Sequence, residues 1–298
     1  MLSNVSPKLS EVEISLLPTE EDVVFYEEHG WYISKKVIPE ELIDEAIKAC
    51  FRFYEGERDT TLPTETGYSN WKPGEGDEIR NNEFTTLQHK LLRKFALQPI
   101  IGAIAARLTR SKSIRIFEDQ LVYKAPSKDD KKGVVGWHTD RAYCSNCTSE
   151  KLLAAWIPFH DSDVDRAPLV VIDGSNKWSG NDHLRCFNQP NLQETAKKFT
   201  QAGREIIEVP MVMEKGQMSF HNTWSIHGSY PNRSDSYRLA MAVHMQDLEN
   251  RYQPYWNAEG KRIHHYLDTL SRKLPNGNPD YSDPDIFPNI WSSEEGKL

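Results

Sequence analysis

Apolar and polar positions recur with two different periods along this 298-residue chain, and the change between them comes near residue 110. Before it the period is helical. Asp22-Val23-Val24-Phe25-Tyr26 opens one amphipathic segment, and Leu42, Ile43, Ala46, Ile47 and Phe51 share one face of a second that Pro39 can start. This predicts a largely helical stretch over residues 20–54 with a short extended piece at 31–38. Further helices are expected over 85–97 and 99–108. Between them, residues 60–77 are rich in Thr, Gly, Pro and charge, with Tyr68 and Trp71 embedded. A long loop holding aromatics reads as a lid or pocket wall, expected to become ordered when substrate binds.

From residue 113 the period shortens to two. Strands are expected over 113–125, 152–159, 169–172, 206–212, 217–221 and 238–245, separated by polar, Gly- or Pro-marked turns. Helical patterns return at 192–201 and 264–274. Helices followed by strands predict a single α+β domain over residues 1–298, built on a jelly-roll core. The expected parts are a helical portion at about 20–110, the core at about 113–247 and a helical extension at 248–298.

Composition narrows the function. Hydrophobic residues make up 38% and charged residues 27%, and the net charge is -8. A nucleic-acid binder would show a basic stripe, and an acidic chain is not drawn to an anionic membrane surface. No run approaches the roughly 18 apolar residues that span a bilayer. Met1-Leu2-Ser3-Asn4-Val5 lacks a signal pattern and Gly296-Lys297-Leu298 is not a peroxisomal address, so a cytoplasmic location is expected. The four cysteines are too few for a disulfide framework. Cys144 and Cys147 form a C-x-x-C without further soft ligands nearby, which favours reduced thiols at a site rim over zinc or a redox pair.

Candidate chemistry centres on Gly136-Trp137-His138-Thr139-Asp140 and Ile226-His227-Gly228-Ser229. On a strand, His138 and Asp140 point the same way, and His227 must arrive from another strand. Two imidazoles and a carboxylate leave coordination positions open for a cosubstrate and dioxygen, which suits iron, although zinc accepts the same ligands. An isolated H-x-D is weak evidence by itself. Arg238 follows His227 by eleven positions and opens the apolar run Leu239-Ala240-Met241-Ala242-Val243. A buried guanidinium needs an anion: a structural Asp or Glu, or the far carboxylate of a metal-bound diacid.

Five anchors in this order resemble the phytanoyl-CoA dioxygenase family of iron(II)/2-oxoglutarate oxygenases. They are Trp137-His138-Thr139-Asp140, Trp156 eighteen residues after the first histidine, His227-Gly228-Ser229, Arg238, and upstream Asp119-Gln120-Leu121-Val122-Tyr123-Lys124-Ala125-Pro126. The likeness spans about residues 20–247. It implies a double-stranded β-helix core, Fe(II), 2-oxoglutarate and O2, with iron held by His138, Asp140 and His227. It implies that Arg238 and Ser229 hold the distal carboxylate of 2-oxoglutarate, that Gln120 and Trp156 flank it, and that Arg80 is a further candidate. No catalytic residue beyond the metal ligands is implied. The chain departs from the family at Arg166-Ala167-Pro168, where an Asn-Gly is common, and at Asn176, where a histidine is common. Asp140 retains the carboxylate that radical halogenases of this fold lack, which disfavours halogenation.

Among the other histidines, His221 reads equally as a partner of a metal ligand or as a packed strand residue. His244, six past Arg238, is a candidate for the cosubstrate pocket, and His160 a strand-end residue. Tyr143, Tyr68, Trp71, Trp178 and Trp224 are the expected substrate-pocket aromatics, with Glu75, Asp77 and Glu78 interspersed. An acidic chain without a basic cluster does not suit an acyl-CoA. The expected reaction is hydroxylation of a small polar secondary metabolite, with a zwitterionic alkaloid as one form. Desaturation, epimerisation or cyclisation uses the same ligands. A non-catalytic, cupin-like metal-binding protein is the reading from another class.

Overall fold

A computed structural model describes residues 8–189, 191–257 and 259–293. Helix α1 (Glu11–Ser15) and α2 (Glu20–His29) each begin on a capping box. In α2 the Thr19 hydroxyl accepts from the Asp22 N–H while the Asp22 carboxylate accepts from the Thr19 N–H. Gly30, left-handed at φ 79°, ends α2 and leads into strand β1 (Trp31–Ile33). Helix α3 (Glu40–Tyr54) buries Ile43, Ala46, Ala49, Cys50, Phe53 and Tyr54, whereas Leu42, Ile47 and Phe51 are only partly covered. The 20–54 prediction therefore holds, with the buried stripe rotated slightly.

Strand β2 (Ile79–Glu83) was not predicted. The helix expected over 85–97 is two, α4 (Thr85–Gln88) and α5 (Lys90–Ala96), broken at His89, which is extended at φ -140° and buried. Helix α6 (Pro99–Leu108) matches its prediction. Then come β3 (Ser113–Lys124), β4 (Val135–His138), β5 (Leu153–Pro158), β6 (Val170–Ile172) and α7 (Leu192–Gln201). They are followed by β7 (Glu208–Pro210), β8 (Ser219–Asn222), β9 (His227–Ser229) and β10 (Arg238–Asp247).

The expected helical extension after residue 247 is mostly irregular. It holds a ribbon of β11 (Tyr255–Trp256) and β12 (Arg262–Ile263), the five-residue α8 (Tyr266–Leu270), and β13 (Asn289–Ser292), which joins a sheet. Tyr252, Tyr266, Leu267, Tyr281 and Phe287 anchor this segment on Phe84 and Phe117, so aromatic burial replaces helix formation there. Among the described residues no helix is long and apolar enough to cross a membrane.

The strands form a double-stranded β-helix. The larger sheet runs β1-β8-β5-β10-β3-β13, with β2 also paired to β3, and the smaller runs β4-β9-β6-β7, all antiparallel. Alternation along β10 assigns the faces. Leu239, Met241, Val243 and Met245 join the helices in the outer core, beside Leu153, Ala155 and Ile157 of β5. Ala240 and Ala242 face inward, packing with Trp156 against Leu169, Val171, Met211 and Met213 from the smaller sheet and its flank. Small residues at these inward positions leave the interior open. On the same face Arg238 opens the strand and His244 follows beyond the two alanines.

Candidate metal centre and cavity

His138 is the last residue of β4; Thr139 stays extended (φ -119°, ψ 142°) and Asp140 starts a single turn of 3-10 helix. The extended link keeps both side chains on one side, and the β4–β9 register sets His138 opposite His227. One ligand atom from each of His138, Asp140 and His227 lies within 4.8 Å of the others, and all three residues are buried. Asp140 Oδ1 is 3.8 Å from His138 Nε2 and 3.5 Å from His227 Nε2. Both imidazoles tie Nδ1 back to their own strands, His138 to the Gly136 carbonyl at 2.8 Å and His227 to that of Ser225 at 3.0 Å. With the proton on Nδ1, each Nε2 lone pair faces the shared space.

The electrostatics suit a cation there. Burial, reinforced by the neighbouring His227, lowers the His138 pKa to about 3, and burial lowers that of His227 to about 4. Both are therefore neutral near pH 7. Burial pushes Asp140 upward, but His227, His244 and the His221 bond outweigh it and hold the carboxyl well below its usual range. Two neutral nitrogens and one carboxylate oxygen aimed at one point are a donor set for a divalent metal.

Asp140 has two further neighbours. His221 Nε2 lies 3.1 Å and His244 Nε2 3.5 Å from Oδ2, the oxygen turned away from His138 and His227. His221 thus does more than pack: it fixes the carboxylate's rotation. His221→Phe is expected to weaken metal binding about 10- to 100-fold, as loss of a partner to a ligand does. A manganese(II) titration checks this, and unchanged affinity would refute the role.

Close backbone approach also shapes the site. Residues 184–189 cross β4, with the Gly136 N–H donating to the Phe187 carbonyl at 2.9 Å and the Thr139 N–H to that of Leu184 at 3.2 Å. A Cβ on Gly136 would sit 2.0 Å from the Cys186 carbonyl oxygen and 2.4 Å from that of Gln189. Gly136→Ala must displace that segment, and a cost of about 1–3 kcal/mol is expected. It should show as a melting temperature lowered by several degrees together with weaker metal binding. An unchanged melt would contradict the packing account.

Farther inside, Arg238 is 3% exposed and its guanidinium lies 5.6 Å over the Trp156 ring. Its one recorded hydrogen bond goes to the Val122 carbonyl at 3.5 Å, and Nε has no partner. Burial brings its pKa down to about 10, so it stays charged. Opposite it in register, Lys124 is fully buried and donates to the Ser229 hydroxyl at 2.5 Å and the Tyr230 carbonyl at 3.1 Å. Among the described residues no carboxylate forms an ion pair with either cation. Lys124 was visible in the strand motif, but its role was not; the missed signal is a lysine on the inward face of a core strand. Burial, and then the neighbouring Arg238, push the Lys124 amine well below its usual range, so the firm cation at this end is Arg238, which without a carboxylate partner fits an acidic small molecule.

A cavity of about 730 Å³ opens onto His138, Asp140 and His244. Tyr143, Tyr68 and Trp71 line it, as does Gln120. His227, Ser229, Arg238 and Trp156 are buried and not part of this lining, and three further expected residues lie elsewhere. Arg80 is on the opposite face of β2, bound to Asp77 at 2.8 Å and stacked on Tyr54, Trp71 and Tyr123. Trp224 donates to Glu150 and lies under Arg141, and Trp178 packs on Phe199 and Arg204. Asp77 and Glu78 are engaged by Arg80 and Lys132, and only Glu75 of that trio faces the cavity. The 60–77 segment is a wall already bonded to β2 through Trp71 N–H to Asn81 O (3.1 Å) and Glu83 N–H to Ser69 O (2.9 Å). Cys144 and Cys147 are buried free thiols, pushed up by burial, Cys147 to about 12.

A profile described as phytanoyl-CoA dioxygenase (PhyH) matches residues 26–240. The chain belongs to the phytanoyl-CoA dioxygenase family. It is accordingly an iron(II)- and 2-oxoglutarate-dependent dioxygenase that acts on a small molecule with O2. The peroxisomal phytanoyl-CoA dioxygenase of Homo sapiens is 25% identical over 247 residues, covering 78% of this chain and 70% of that protein. The Bos taurus protein is 24% identical, covering 76% and 68%. Among solved structures, the non-heme α-ketoglutarate-dependent carbocyclase SnoK from nogalamycin biosynthesis has a TM-score of 0.68 at 24% identity, covering 91% of this chain and 96% of that one. EctD from S. alaskensis, crystallised with 2-oxoglutarate and 5-hydroxyectoine, has a TM-score of 0.64 at 16% identity, covering 88% and 87%. At these identities the two structures speak to the fold of this family member.

Proposed function

We propose that this dioxygenase hydroxylates an unactivated C–H bond of a small polar molecule, a secondary metabolite, with 2-oxoglutarate and O2 converted to succinate and CO2. The observation that carries the reading is the convergence of two Nε2 lone pairs and one Asp140 oxygen beside a cavity that His138 and Asp140 line. His138, Asp140 and His227 would hold the iron. Bound there, the metal supplies the oxidising power that breaks the C–H bond. The chain's own residues bind and orient. Arg238 would grip the distal carboxylate of 2-oxoglutarate, Trp156 would wall its methylenes, and Gln120 would face it from β3. Lys124 would act through Ser229, holding its hydroxyl toward the same carboxylate. Tyr143, Tyr68 and Trp71 would exclude water around the substrate.

An acyl-CoA would need several cations for its phosphates. The residues that line the cavity include one arginine, Arg185, and no lysine, which supports a compact substrate. A second reading draws on the neighbours described as a carbocyclase and an epimerase, SnoK and SnoN. Product mass separates these outcomes. Hydroxylation adds one oxygen, ring closure or desaturation removes two hydrogens, and epimerisation leaves the mass unchanged. A screen of candidate metabolites that follows succinate and product mass together therefore tests the proposal. Succinate formation paired with loss of two hydrogens would overturn it in favour of ring closure or desaturation.

A further inference from the structure

We propose that the substrate carries a cationic nitrogen, received by Glu83 with Glu118 beside it. This rests on the reading of the cavity as the substrate site of the dioxygenase, and it adds the substrate's charge. Alternation along β2 directs Ile79, Asn81 and Glu83 into the cavity. On the neighbouring strand β3, Glu118 and Gln120 face the same space. The inward face of β3 thus runs from Glu118 through Gln120 and Val122 to Lys124, anionic at the Glu118 end and cationic where Arg238 lies. A diacid cosubstrate fits the cationic end. The anionic end wants the opposite charge.

Glu83 has neutral partners. Its carboxylate accepts from the Ser69 N–H at 2.9 Å and from the Gln120 amide at 3.3 Å. One bond falls on each oxygen, Oε2 and Oε1, and neither donor carries a charge that would compensate the carboxylate. Glu118 pairs with His265 at 3.0 Å. Among the described residues no lysine or arginine forms an ion pair with either acid. The two imidazoles nearby are already engaged, His265 by Glu118 and His244 by Asp140 at 3.5 Å, so an ionised Glu83 has no cation paired with it in a partly desolvated space, a costly arrangement. Burial, and then Glu118, raise the Glu83 pKa to about 7, which expresses the same cost.

The surroundings suit an organic cation better than a bare metal ion. Tyr68, Trp71 and Tyr266 line the same wall, and the Tyr68 ring lies 4.6 Å from that of Tyr266. Aromatic faces next to a carboxylate hold an ammonium or guanidinium group by charge and ring quadrupole together. Glu83 is also firmly placed. Phe84, next in sequence, is left-handed at φ 57°, and the Asp119 carboxylate clamps the following turn by accepting from the Thr85 and Thr86 N–H groups. At another part of the lining, Arg185 extends over Tyr143 at 5.2 Å and bonds the Ala142 carbonyl, so the cavity is polarised rather than uniformly acidic. A cationic group is thereby directed to Glu83.

Calorimetry on protein loaded with manganese(II) and 2-oxoglutarate tests this with one scaffold in three charge states: phenethylamine, N-acetylphenethylamine and 3-phenylpropionate. The amine is expected to bind at least about tenfold more tightly than the other two. Glu83→Gln, which keeps the shape and one of the two accepted bonds while removing the charge, should bring the amine within about threefold of the amide. It should leave manganese and 2-oxoglutarate affinities unchanged, which also verifies that the variant is folded. No preference for the amine, no binding by any of the three, or a preference that survives Glu83→Gln would overturn the proposal. Failure of the wild-type protein to bind 2-oxoglutarate with manganese would instead count against the dioxygenase site assignment.

Discussion

Replacing His138 or Asp140 by alanine is expected to abolish succinate formation while the protein still melts cooperatively near the wild-type temperature. The expectation follows from the geometry around Asp140, whose Oδ1 lies within 3.8 Å of both imidazole Nε2 atoms. Removing either side chain leaves two protein donors of three, too few to hold a metal against water in a site that must keep open positions. Stability should suffer little. The fold brings His138, His227, His221 and His244 around a single carboxylate, an arrangement shaped for a metal rather than for stability. Succinate assays under saturating iron and 2-oxoglutarate check this. Wild-type rates in either variant would remove the residue from the metal site.

Much of this centre was legible because its residues are tied to short-range geometry. His138 and Asp140 share a face whenever residue 139 is extended, and His227 and Ser229 share one on β9. The inward face of β10 was legible for the same reason, since Arg238 opens an alternating run. What escaped was set by contacts distant in sequence. Ile79-Arg80-Asn81-Asn82-Glu83 has no apolar alternation and falls in the portion expected to be helical, yet it becomes β2 by pairing with the edge of β3. Missing that strand hid its parity, and so Arg80 was expected at the cosubstrate while Glu83 went unnoticed.

Aromatic residues taught a similar lesson. Tyr68, Trp71 and Trp178 all lie in irregular segments, but the first two face the cavity and Trp178 packs against α7. Nothing local to a tryptophan says where its ring will point. The unpredicted break at His89 has a comparable origin, because its buried ring packs 6.4 Å from Phe53 of α3 and interrupts a continuous helical pattern. Ala167 carries a left-handed φ of 52°, a conformation that glycine adopts more readily.

Arg238→Ala should raise the 2-oxoglutarate requirement steeply. Truncating one member of a buried charge pair costs about 2–5 kcal/mol. At about 1.4 kcal/mol per decade this means roughly thirtyfold to a few thousandfold in apparent affinity. The guanidinium is well suited to such an effect, being buried, stacked on Trp156 and without a carboxylate partner among the described residues. Lys124 does not substitute for it, because its ammonium is saturated by Ser229 and Tyr230. Arg238→Lys should recover little, since a point charge lacks the planar two-pronged contact. Steady-state titration of 2-oxoglutarate measures the change, and an apparent affinity within about threefold of wild type would refute the assignment.

The most direct measurement is a crystal structure of the protein grown with manganese(II) and 2-oxoglutarate in place of the reactive iron. The account predicts one ion coordinated by His138 Nε2, His227 Nε2 and an Asp140 oxygen, chelated by the keto-acid end, with the distal carboxylate against Arg238. An ion held by other residues, or a distal carboxylate pointing away from Arg238, would contradict it.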